Sequence, residues 1–65
     1  MAFPFQAGDR VRDLKFGKGE GTVEGLQKAY GRTPDPVVVW VNFDNGHSAG
    51  RYRMELEHVP AKGDD

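Results

Sequence analysis

Apolar residues in this chain fall in short runs broken by glycine, proline and charge. In Gly8-Asp9-Arg10-Val11-Arg12-Asp13-Leu14 charged side chains flank Val11, the alternation of a half-buried strand. Lys15 to Gly19 reads as a turn, and Glu20 to Lys28 as a second strand carrying Val23 and Leu26. Glycines at 8, 17, 19, 21, 25 and 31 exclude a helix here, since each costs about 1 kcal/mol in a helix interior. Ala29 to Pro36, with one glycine and two prolines, is the longest loop. Val37-Val38-Val39-Trp40-Val41-Asn42-Phe43 is the clearest strand, and Asp44-Asn45-Gly46 after it predicts a type I′ hairpin. The return strand is expected over His47 to Arg53. Met54-Glu55-Leu56 suits one 3₁₀ turn, and Glu57-His58-Val59 a last strand ended by Pro60.

Alternation then sorts the faces. With Val37, Val39, Val41 and Phe43 turned into a core shared with Val11, Val23, Tyr52, Leu56 and Val59, the side chains of Val38, Trp40 and Asn42 point outward. Trp40 then has two open readings: it forms an exposed apolar surface with Val38, or the segment Phe3-Pro4-Phe5 folds back over it.

At 65 residues the chain has room for one core, and without cysteine that core holds by packing alone. The expected architecture is all-β: a five-stranded SH3-like (Tudor-like) small barrel over residues 5–59, with an N-terminal arm at 1–4 and a disordered tail at 60–65. No apolar run approaches the roughly 20 residues of a membrane span, and the first residues lack the pattern of a signal peptide. The expectation is a cytoplasmic protein with no membrane partner.

The string Phe5-x-x-Gly8-Asp9-Arg10-Val11-Arg12, Lys15-Phe16-Gly17-x-Gly19-x-Gly21-x-Val23, Val39-x-Val41-Asn42-Phe43-Asp44-Asn45-Gly46 and Leu56-Glu57-x-Val59 resembles the Tudor-like domain at the C-terminus of UvrD/PcrA helicases. It is more loosely similar to KOW-type and CarD-type barrels. The turn between the first two strands departs from the usual Phe-Gly-x-Gly-x-Val by two extra residues. The resemblance implies a docking module, with a larger protein such as RNA polymerase or a DNA-repair complex as partner.

Chemistry is sparse. Lys+Arg number nine against ten Asp+Glu, so charge alone names no partner. Gly17-x-Gly19-x-Gly21 has no following helix to hold a phosphate. His47 and His58 lack a metal-ligand spacing or a nucleophile, and Ser48 falls on the other side of its strand from His47. No catalytic residue, metal or cofactor is expected. Two binding readings are. One is protein docking through Trp40, Val38, Tyr30 and Arg32, with self-association through the same apolar face as a variant and a monomer otherwise. The other is weak nucleic-acid binding on a basic rim of Arg10, Arg12, Lys15, Lys18, Arg51 and Arg53, with Trp40 or Tyr30 stacking on bases.

Overall fold

A computed structural model describes residues 3–60; the rest of the expected arm and tail lies outside the described residues. The chain forms β1 (Arg10–Asp13), β2 (Glu20–Lys28), β3 (Val37–Phe43), β4 (Ser48–Arg51), a 3₁₀ turn (Arg53–Glu55) and β5 (Leu56–His58). They make one antiparallel five-stranded sheet in the order β4-β3-β2-β1-β5. Among the described residues, no helix is long and apolar enough to cross a membrane.

The bounds of β2 and β3 are those the residue pattern predicts. β4 is shorter than expected, because the chain leaves the ladder at Arg51 and turns at Arg53–Glu55. The sheet is open rather than closed into the expected barrel: β5 pairs with β1, β4 with β3, and the two edge strands do not meet. The 3₁₀ turn carries the chain between them, and its Glu55 carbonyl accepts the Leu14 N–H at 2.8 Å.

The hairpin after β3 also differs from the predicted type I′ turn. Among the described residues no non-glycine residue has positive φ, Gly46 sits at +94°, and its N–H reaches the Phe43 carbonyl at 3.0 Å. This is a three-residue loop with a left-handed glycine, which restores the strand twist with one αL residue instead of two. Asn45 contributes through its side chain, accepting the His47 N–H at 3.0 Å.

Phe5, Val11, Val23, Val39, Val41, Phe43 and Leu56 form the core, with Phe3 and Ala49 packed against it. Val37, Tyr52 and Val59, expected in that core, are only half-buried. In β2 the register slips between Val23 and Gly25, so Glu24 is an extra, bulged residue. The bulge places both Val23 and Leu26, three positions apart, opposite core residues of β3, Val41 and Val39.

Two charged groups share this core. Asp13 and Arg51 are 4% and 7% exposed and bond through both carboxylate oxygens, Nε to Oδ1 at 3.3 Å and Nη2 to Oδ2 at 3.2 Å. Asp13 also accepts the backbone N–H groups of Lys15, Phe16 and Lys18. The guanidinium lies over the Phe16 and Phe43 rings, 4.6 and 5.5 Å from their centroids. Burial pushes the Asp13 carboxyl up, but Arg51 and the three N–H donors outweigh it and hold it down at about 2.

Removing one partner of a buried pair leaves the other uncompensated. Asp13→Asn is expected to lower stability by about 3 kcal/mol, measured by urea unfolding at neutral pH. The pH dependence follows from the same group. Its folded value is depressed, so its contribution is full above the ordinary carboxyl value of 3.8 and is lost as pH falls through about 2. Asp35 and Asp44, both lowered by their arginine partners, act in the same direction. The urea midpoint should hold steady above pH 5 and fall across that acid window, less steeply in Asp13→Asn.

Candidate functional site

Strand pairing assigns the outer face row by row. Arg10, Thr22, Asn42 and Ser48 lie across one row, Arg12 between Glu20 and Glu57 on another, and Gly25, Trp40 and Gly50 on a third. Val38 follows Trp40 on the same face, opposite Gln27. The face therefore has a charged half and an apolar half.

Trp40 is 39% exposed. Of its two open readings the structure selects the first, because the N-terminal arm is engaged elsewhere. Phe5 is in the core, on the opposite side of the sheet, and stacks on His58 with centroids 4.4 Å apart. Phe3 packs beside it under the Arg53 guanidinium at 4.2 Å. The His58 ring also bonds the Pro4 carbonyl at 2.8 Å, so this histidine pins the arm.

Glycines flank Trp40 on both neighbouring strands, but they do different things. A Cβ on Gly50 would lie 2.7 Å from Val38 Cγ1 and 3.0 Å from two atoms of the Trp40 ring, so the indole is laid down over Gly50. A Cβ on Gly25 would meet nothing within 4 Å. The ring is thus supported on its β4 side and open on its β2 side. Gly50 was not singled out by the sequence; a glycine within a strand, facing an aromatic on the next, is the signal that could have found it.

Tyr30 and Arg32 are exposed in the loop beyond the Lys28–Val37 pair that ends the β2–β3 ladder. Trp40 lies three residues inside that pair, roughly 10 Å along the strand at about 3.3 Å per residue. The Tyr30 ring, 79% exposed, has the Lys28 ammonium 5.9 Å from its centroid. Val38 and Trp40 form one surface; Tyr30 and Arg32 stand at its far end.

The basic residues are dispersed and mostly neutralised. Arg10 holds Asp44 through two bonds of 2.9 and 2.7 Å and lies 3.6 Å from Glu20. Arg12 pairs with Glu57 at 2.5 Å and Glu20 at 3.6 Å. These two arginines thus sit among the carboxylates of Asp44, Glu20 and Glu57, and the Asp44 carboxyl is held low by its bond from Arg10. Lys15 reaches Glu55 at 3.1 Å, and Arg53 holds the buried Asp35 at 2.6 and 2.8 Å, tying the long loop to the 3₁₀ turn. Arg51 is in the core, so it is not part of the exposed basic rim that the sequence suggests. Lys18 alone of the six has no ion pair among the described residues.

Another apolar patch was missed. Leu14, Phe16 and Met54 are 52%, 61% and 60% exposed, and the Leu14–Glu55 backbone bond draws the β1–β2 turn against the 3₁₀ turn that carries Met54. Among the described residues, no cluster of His, Asp or Glu has the makings of a metal site.

Comparison with protein-family models, with curated proteins and with solved structures gave no match.

Replacing Gly50 with alanine forces the indole or Val38 to move. Gly50→Ala should lower stability by about 1–3 kcal/mol, the usual range for overpacking. Because Trp40 is the sole tryptophan, its fluorescence should shift in the folded variant. An unchanged spectrum and stability would show that the ring does not rest on Gly50.

Proposed function

We propose that the chain is a non-enzymatic docking module that engages a larger protein through the outer face of β3, with Trp40 and Val38 at its centre. RNA polymerase or a DNA-repair complex is the partner class that the resemblance to the UvrD/PcrA Tudor-like domains suggests. The observation that carries the reading is a half-exposed tryptophan on β3, an interior strand of the sheet, uncovered by the arm and open on its Gly25 side. A tryptophan with one free face offers a large, rigid contact area at low entropic cost, the property that makes it common at interface centres. Tyr30 and Arg32 extend the same end of the sheet.

The strand order, with a 3₁₀ turn between β4 and β5, supports an SH3-like, Tudor-like reading of the fold. The ion pairs weigh against the nucleic-acid reading. A phosphate approaching Arg10 or Arg12 must displace carboxylates already bonded to them, and Arg51 is unavailable.

Amide shift titrations separate the two. With purified core RNA polymerase, resonances of Val38, Trp40 and Gly25 should broaden, with little change between about 50 and 200 mM salt, the range in which phosphate-driven binding falls steeply. Trp40→Ser should abolish the broadening while leaving the remaining spectrum folded. Salt-sensitive shifts of Arg10, Arg12 and Lys18 with single-stranded or duplex DNA, together with silence toward polymerase, would overturn the proposal.

A further inference from the structure

The open edge of β4 matches itself, and we infer that two copies of this chain associate edge to edge through β4 as a two-fold dimer. The argument starts from where the backbone groups of β4 point. Phe43 donates its N–H to the His47 carbonyl at 2.7 Å, which fixes the alternation of the ladder: Val41–Ala49 and Val39–Arg51 are its hydrogen-bonded pairs. The N–H and C=O groups of Ser48 and Gly50 therefore point away from β3.

Among the described residues, the Ser48 N–H, the Ser48 carbonyl and the Gly50 N–H have no hydrogen-bond partner. The Gly50 carbonyl takes one bond, from Arg51 Nη1 at 2.9 Å, and keeps a second lone pair. An antiparallel second copy centred on Ala49 sets Ser48 opposite Gly50 of that copy, and Gly50 opposite its Ser48. Each of these groups then gains a partner.

The register is specific. Moving the copy one residue pair toward the hairpin sets Gly50 against Gly46, whose N–H is already bonded to the Phe43 carbonyl. Moving it the other way sets Ser48 against Tyr52, whose N–H is held by Glu55 Oε1 at 3.0 Å. A second copy of β4 thus satisfies the groups of this edge in one register, the one centred on Ala49, because each shifted register leaves the Gly50 or the Ser48 carbonyl without a donor.

Side chains permit the approach. Ser48, Ala49 and Gly50 are small, and the next residue, Arg51, directs Nε and Nη2 to Asp13 in the core and leaves only its Nη1 bond to the Gly50 carbonyl at the edge. Charge and proline are the usual guards of an edge strand. The opposite edge has both: Glu57 and His58 in β5, Pro60 just after it, and the arm held at Pro4 by His58. A two-fold axis perpendicular to an antiparallel sheet keeps both outer faces on one side. The two Trp40 surfaces would therefore stand side by side, both uncovered.

The test is sedimentation equilibrium of the full chain from micromolar to millimolar concentration, with amide hydrogen exchange on the same samples. The weight-average mass should rise from 7.2 kDa toward twice that value. Exchange at Ser48 and Gly50 should slow several-fold with concentration, while other exposed amides do not change. Ser48→Pro should stay monomeric, since it removes an edge donor that β3 does not use. If that variant does not fold, the wild-type exchange rates decide. A chain that is monomeric at millimolar concentration overturns the proposal, and so does a dimer that Ser48→Pro leaves intact or that Trp40→Ser abolishes.

Discussion

A buried carboxylate organises this small protein. Asp13 accepts two bonds from Arg51 and three backbone N–H bonds, so one side chain ties the end of β1, the β1–β2 turn and the end of β4 together. Taking two ions out of water is costly, and the attraction between them repays it only when remaining lone pairs and protons are also satisfied. Here they are: no buried side-chain polar atom among the described residues lacks a partner. With a core of seven apolar residues, the pair does what a larger core would do by volume, fixing which end of β4 lies under which turn. It also gives the largely exposed Phe16 a contact, since its ring covers the guanidinium.

That constraint divides the molecule into two faces with different duties. The inner face contains the aliphatic core, the Asp13–Arg51 pair and the N-terminal arm. The outer face holds an alternating chain of Asp44, Arg10, Glu20, Arg12 and Glu57, and beside it the Val38–Trp40 surface. Exposed ion pairs contribute about 0–1 kcal/mol each, so the charged half adds little stability. It does cancel the field of the two arginines, which removes the long-range attraction a polyanion would need. The apolar half is left as the part of this face with contact energy to offer.

Much of the fold was legible because period-two alternation and β-branched content are local signals. The bounds of β2 and β3 came out as read, and so did the inward turn of Val39, Val41 and Phe43. Even the bulge was implicit: Val23 and Leu26 are three apart, a spacing that a regular strand cannot keep on one face. What was not legible depends on pairing between distant residues. Arg51 reads as a surface cation until Asp13, 38 positions away, is known to lie beneath it. Whether the arm covers Trp40 depended on His58 and Arg53 capturing Pro4 and Phe3, contacts without a sequence signature. The shorter β4 has a similar reason: nothing local says that the chain leaves the ladder at Arg51.

Trp40 itself has a structural part to play, and that part sets a bound on the docking reading. An interior glycine weakens a strand, and an aromatic laid across it from the neighbouring strand restores some of the lost packing. On the β4 side the indole does this, in contact so close that a Cβ on Gly50 would push the indole or Val38 aside. If covering glycine were the whole purpose, the same logic would apply to Gly25, which faces Trp40 from the other strand. There the space is empty to beyond 4 Å. The sheet thus bears the cost of a second interior glycine and leaves it uncovered, with one side of the sole tryptophan facing the gap. An indole supported on one side and open on the other suits contact with an apolar side chain supplied from outside, and Gly25 marks the open side.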